Sequence, residues 1–161
     1  MVILMGEPKI VEQGIQGKFD YLEHTADVYI LAYGGDLIEL FENAGLSLFE
    51  TMTNTRDLEL SIERRIHAEG FDLESLLYRW LEELLFLYYS ENIMCKEVYV
   101  ENLCVKREDG DRVYSIDGVC RGECFNPNRH VSKVEVKAVT YHLMKIVKDE
   151  EKWRAYFVLD I

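Results

Sequence analysis

The residues of this chain whose types could do chemistry gather at the ends of strand-like runs. Asp27 closes Glu23-His24-Thr25-Ala26-Asp27 and opens an apolar run, and His142 closes Val139-Thr140-Tyr141-His142. Asp160 and the α-carboxylate of Ile161 stand at the tip of a last alternating segment. Chain ends usually trail off in polar, disordered residues, whereas this one reads as an ordered strand carrying two anionic groups. Taken singly, each residue has an ordinary role open to it. Thr25 and Asp27 can close a turn through bonds to backbone, Glu23 and His24 can be solvated, and His142 can be a hydrogen-bonded sheet residue. Taken together, carboxylates converging at a sheet margin without a basic neighbour repel one another and ask for a cation between them. Hard oxygen ligands suit calcium or magnesium, and calcium tolerates irregular cages completed by carbonyls and water. Asp27, Asp160 and Ile161 are therefore the candidate metal ligands. His24 and His142 are candidates for supporting positions around them, with turn and sheet roles still open.

The elements that must position these groups alternate between two periods. Asp27 to Tyr33 is rich in β-branched and aromatic residues and is closed by Gly34-Gly35, as for a buried strand. Asp36 stands where an N-cap should, with Glu39 three residues on, and Leu37, Leu40, Phe41, Ala44, Leu48 and Met52 fall on one face of a helix over 36–52. Residues 58–68 alternate as a half-buried strand. Asp72 caps a second helix, strongly apolar along Leu73, Leu76, Leu77, Trp80, Leu84 and Tyr88 and ending near Asn92. Strands follow over 94–107 and 112–122 around Asp109-Gly110-Asp111, whose residue types supply the positive φ of a hairpin. Residues 125–130 read as a loop, and 134–148 with 152–161 as a C-terminal hairpin. Residues 1–18 show no sustained period and read as an N-terminal arm before a domain over 19–161. The expected fold is a single α+β domain, mostly antiparallel sheet packed with two main helices.

Composition narrows the partners. A chain of 161 residues, 48% of them hydrophobic, can bury one substantial core. Its net charge of -12 lacks the footprint of an autonomous nucleic-acid binder, so no stable direct nucleic-acid binding is expected. No run approaches a membrane span and no secretory signal is evident, which points to a cytoplasmic protein without a membrane partner. Cys95, Cys104, Cys120 and Cys124 are then expected as reduced thiols. Cys120, Cys124 and His130 are zinc-ligand types, but there is no paired C-x2-C, and Cys95 and Cys104 are read in separate strand-like runs. Phosphate-cradling, dinucleotide-binding, serine-hydrolase and zincin motifs are absent.

The stretches 21–53 (with H-T-A-D), 72–88 (D-L-E-S-L-L), 134–146 (K-A-V-T-Y-H) and 153–161 (terminal L-D-I) together resemble the archease family, from about Phe19 onward. The resemblance implies an α+β fold related to strand-helix-strand-strand modules. It also implies an activator of the RtcB-type RNA ligase in transfer RNA splicing. That enzyme joins ends bearing a 2',3'-cyclic or 3'-phosphate to a 5'-hydroxyl, using GTP, a divalent metal and a guanylylated histidine of its own. The family member would promote guanylylation and multiple turnover without catalysing ligation. The family's metal, usually assigned as calcium, with magnesium or manganese open, maps onto Asp27, Asp160 and Ile161. The arm has no counterpart in the family pattern, and residues 122–130 replace a more acidic, proline-bearing loop, so the resemblance assigns no ligase contacts near Asn126 to His130. Two other readings compete. One is a small metal-dependent phosphoesterase or nuclease, with Asp27 and Asp160 on metal and His24 or His142 moving protons. The other is a protein-interaction module or chaperone in which the carboxylates are structural.

Overall fold

Asp36 and Asp72 begin the two helices that the sequence predicts, each accepting from the backbone N–H three residues on, Glu39 at 2.8 Å and Ser75 at 2.7 Å. The computed structural model describes residues 7–161. The chain runs β1 (Ile10–Gln13), β2 (Phe19–Leu22), β3 (Val28–Gly34), α1 (Leu37–Met52), β4 (Ile62–Gly70) and α2 (Leu73–Glu91). It continues through β5 (Ile93–Glu108), β6 (Asp111–Cys124), β7 (Ala138–Val139), β8 (Lys145–Lys148) and β9 (Trp153–Asp160). Asn92, at φ 58°, ends α2 in a left-handed cap, and Asp109 and Gly110, at φ 51° and 85°, make the two-residue β5–β6 turn that the Asp-Gly pair predicts.

The strands form two antiparallel sheets rather than one. β1-β2-β3-β9 is the spine of the larger, with β7 and β8 both paired to the far side of β9; the smaller runs β4-β6-β5. The helices lie between them: α1 packs on β3 and β5, and α2 on β4 and β6 with β7 and β8 at its edge. The fold is thus α+β, as its pattern of elements predicts. The fully buried Trp80 of α2 donates from Nε1 to the Phe41 carbonyl of α1 at 3.0 Å. Its ring lies against Gly118 of β6, where an added Cβ would come within 2.5 Å of the indole and 2.4 Å of the Tyr99 carbonyl oxygen. Glycine is required there because the Trp80 indole and the Tyr99 carbonyl leave no room for a side chain.

Several local expectations are corrected. Part of the arm is ordered as β1, which pairs with β2; residues 1–6 lie outside the described residues. The strand expected from residue 58 starts at Ile62, because Thr55–Asp57 make a 3-10 turn whose carbonyl neighbours, Arg56 and Leu58, are held by Lys96 Nζ. Residues 134–148 are not one strand: only Ala138–Val139 and Lys145–Lys148 pair with β9, and the hairpin is β8–β9 alone. Cys95 and Cys104 share β5 rather than lying in separate runs. The reduced-thiol expectation also gives way, since Cys95 and the adjacent-strand Cys120, with Cα atoms 5.6 Å apart, are joined by a disulfide inside the core. A bulge between Cys95 and Glu97 brings them together, a register detail that spacing along the chain cannot show.

The loop over 125–130 is anchored by buried charge. Glu123 accepts from Arg129 at 2.7 Å, lies 3.0 Å from His130 Nε2, and also takes the Glu59 N–H. His130 Nδ1 accepts from the Asn126 N–H at 2.9 Å, which leaves Nε2 as the protonated nitrogen facing Glu123. Burial alone would raise the Glu123 carboxyl, but the Glu59 N–H, Arg129 and His130 outweigh it and hold it below its ordinary 4.5. The stabilisation is therefore present above that value and is lost as pH falls through the lower folded one.

Two outcomes are expected. Gly118→Ala should destabilise the protein by about 1–3 kcal/mol in urea denaturation through overpacking, whereas Gly35→Ala, which meets open space, should stay within about 0.5 kcal/mol. Glu123→Gln should cost about 1–3 kcal/mol at pH 7 by leaving buried donors poorly matched. It should also flatten the loss of stability that wild type shows on acidification below pH 4.5.

Candidate functional site

Strand register decides which sequence candidates meet. β3 and β9 are antiparallel with Val28 opposite Leu159 and Tyr29 opposite Val158, which brings Asp27, in the bend just before β3, and Asp160, the last residue of β9, to the same end of the two strands. Alternation along β9 puts Asp160 on the face of Tyr156 and Val158, which pack with Leu22, Tyr29 and Leu31 on the side of the sheet away from the helices. On its other side Asp160 pairs with Ala138, and its carbonyl accepts the Lys137 N–H at 2.7 Å. Ile161 follows directly, half-buried like both aspartates. The three oxygen-bearing candidates, separated by more than 130 positions between Asp27 and Asp160, thus occupy one sheet margin.

The histidines arrive from opposite sides of β9. His24 lies in the connection from β2 to β3, and His142 in the segment between β7 and β8 on the far edge, yet their ring centroids stand 6.0 Å apart. His24 also meets Tyr29 edge-on at 5.8 Å, and its Nδ1 is buried with no hydrogen-bond partner among the described residues. Asp27 and His24 share a cavity of about 400 Å³ with Tyr21, Tyr29, Thr51 and Lys133. The Tyr21 phenol, 3.1 Å from the Thr51 hydroxyl, is pushed up to about 12, mainly by burial, and stays neutral. Lys133 does not serve the aspartates: its Nζ is committed to Glu50 Oε2 at 2.9 Å.

Donor chemistry and position fit a hard divalent cation: two carboxylates, Asp27 just before β3 and Asp160 at the end of β9, at one margin of the sheet. Among the described residues no three His, Cys, Asp or Glu side chains converge into a ready-made cage. The sequence reading missed the cavity wall of Tyr21, Thr51 and Lys133, whose members come from β2, α1 and a loop and carry no local signal. It also missed the break in the last edge strand, because residues 140–144 contain neither Gly nor Pro.

The Archease protein family model matches residues 19–161. This chain belongs to the archease family. It is 44% identical over 144 residues to the protein archease of Sulfurisphaera tokodaii, covering 89% of this chain and 99% of that one. Against the protein archease of Pyrococcus furiosus the identity is 43% over 145 residues, with 89% and 99% covered. The solution structure of Methanobacterium thermoautotrophicum protein 1598 superposes with a TM-score of 0.74 at 36% identity, covering 91% of this chain and all of that one. A crystal structure of an archease from Thermotoga maritima, described as a possible chaperone, shares the fold with a TM-score of 0.52 at 22% identity, covering 87% and 94%. The α+β fold of the archeases is therefore the fold of this chain, and among its described residues no helix is long and apolar enough to cross a membrane.

Like charges brought together at a sheet margin weaken it. In metal-free buffer of low ionic strength, Asp27→Asn and Asp160→Asn should each raise stability by about 0.2–1 kcal/mol, a gain that shrinks at high salt. Thermal melts with a chelator present, at two salt concentrations, check this.

Proposed function

We propose that this archease-family member is a non-catalytic, cytoplasmic activator of an RtcB-type RNA ligase in transfer RNA splicing. It promotes the ligase's metal- and GTP-dependent guanylylation and its multiple turnover. Asp27, Asp160 and the carboxylate of Ile161 hold a divalent cation, calcium by donor type, with magnesium or manganese as the other hard candidates. The observation that supports this reading is the β3–β9 register, which brings the two motif ends H-T-A-D and L-D-I to one margin in a chain of the archease family. When bound, the cation supplies positive charge at an otherwise anionic edge.

The chain's own residues do the rest. Asp160 ends one strand and Asp27 directly precedes another, and the two strands are locked by ladder hydrogen bonds, so the margin that carries both keeps its shape without partner contacts. The β7 edge fixes the carbonyl of Asp160 through Lys137. A surface of net charge -12 keeps the activator off the RNA that its partner must engage, since phosphate contacts dominate nucleic-acid affinity. Activation requires tighter binding to the ligase conformation competent for GTP than to the resting one.

A chaperone-like reading has one observation in its favour: the Thermotoga maritima relative is described as a possible chaperone. Phe86 and Tyr89 on α2, 63% and 49% exposed, would offer apolar surface for that role.

The two readings separate in a multiple-turnover ligation assay with the cognate ligase, GTP and metal. Wild type should raise turnover and Asp160→Ala, verified as folded, should lose at least about tenfold of that gain, equivalent to ~1.4 kcal/mol. Calcium should raise the melting temperature of wild type and leave that of Asp160→Ala unmoved. Full stimulation by Asp160→Ala would remove the carboxylates from the function and favour the chaperone-like reading.

A further inference from the structure

The edge strand along β9 is broken between Thr140 and Lys145. Thr140 still pairs with β9, giving its N–H and its hydroxyl to the Val158 carbonyl at 3.2 and 3.1 Å, and Lys145 resumes opposite Tyr156. Between them the chain turns out of the sheet, closed by the Met144 N–H on the Tyr141 carbonyl at 3.1 Å. Leu143 sits there at φ 59°, a left-handed conformation that a branched side chain adopts only at a cost. Tyr141 is clamped by face-to-face stacking on Tyr78 of α2, with centroids 4.1 Å apart and planes 8° from parallel. Strain and clamp together carry His142 out of the ladder and over to His24.

The environment of His24 says what this arrangement lacks. Its Nδ1 is shielded from solvent with no partner among the described residues, although buried polar atoms in folded proteins are almost always satisfied. The other two histidines differ: His67 is held by Asp117 at 2.7 Å and Glu69 at 3.1 Å, and His130 by the Asn126 N–H and Glu123. A metal ion sits about 2.0–2.1 Å from an imidazole nitrogen, so the centres of two rings that share one ion stand about 5–6 Å apart. The observed 6.0 Å lies at the upper end of that range, with the ring planes 64° apart.

We propose that His24 and His142 form a nitrogen clamp for one borderline transition-metal ion of the zinc, cobalt or nickel class. Imidazole favours these ions over calcium and magnesium, so the clamp is chemically distinct from the oxygen set of Asp27, Asp160 and Ile161. Among the described residues no third His, Cys, Asp or Glu completes a cage around it, and water fills the remaining positions, which makes the bound ion open and exchangeable. The strained turn is the device that holds the clamp in reach, and a metal-bound His142 offsets its cost. The inference does not depend on the ligase reading.

Zinc chloride is the probe, added to the full-length protein with calcium already saturating, and the histidine ring nitrogens are followed by NMR. One equivalent of zinc should shift His24 and His142 and leave His67 and His130 unmoved. In calorimetry His24→Ala and His142→Ala should each weaken zinc binding by about tenfold or more, which is ~1.4 kcal/mol. Asp160→Asn should keep the zinc affinity. Because His142 is exposed on a turn, its alanine variant keeps the core intact and serves as the control if His24→Ala melts early. Zinc that leaves both rings unshifted, or binds both alanine variants as tightly as wild type, overturns the clamp. Loss of zinc affinity in Asp160→Asn overturns its separateness by making nitrogen and oxygen donors one site. Failure of ligase stimulation with zinc binding intact would count against the proposed function alone.

Discussion

The antiparallel pairing of β3 with β9 is the constraint on which the candidate site rests. Seven consecutive residue pairs, from Val28–Leu159 to Gly34–Trp153, fix the register, and both strands bury alternate side chains on two faces. A slip of one residue would exchange Ile30, Ala32, Phe157 and Leu159 with Tyr29, Leu31, Tyr156 and Val158, sending the core-facing set to the wrong side. The same register that satisfies the core delivers Asp27 and Asp160 to one margin. Apolar packing thereby supplies the energy that brings two anionic residues to one end of the paired strands.

The remaining architecture keeps that pairing rigid. Both helices lie between the larger sheet and the β4-β6-β5 sheet, and Trp80 ties them by one hydrogen bond to α1 and one close approach to β6. The β5–β6 disulfide and the buried Glu123 cluster stiffen the smaller sheet and the loop leaving it. None of these touches the aspartates. They limit how far the helices can shift beneath β3 and β9, and so how far the margin can open.

The edge of β9 shows the contrary tendency. Two short strands share it, and the residues between them abandon the ladder for a strained turn. Regular pairing along the whole edge would have kept His142 on its own side of β9. Interruptions of this kind re-aim side chains beside functional sites, and here the result is two histidine rings in mutual reach.

Much of this was legible in the sequence, for a physical reason: short-range patterns are written in adjacent residues. Asp36 and Asp72 announced both helix starts, Asp109-Gly110 announced the hairpin, and apolar spacing announced the buried faces, because caps, turns and amphipathic periods depend only on near neighbours. H-T-A-D and L-D-I marked the candidate ligands by residue type and by family resemblance. Register, sheet membership and edge geometry depend on residues far apart in the chain, and those only the tertiary structure decided. The pairing of Cys95 with Cys120 needed a bulge that no spacing reveals. The split of the strands into two sheets needed the helices between them, and the break at Tyr141–Met144 needed the surroundings of Tyr78 and His24 to make a turn from residues that read as strand. The sequence by itself determined which groups could act. Long-range packing determined which of them meet.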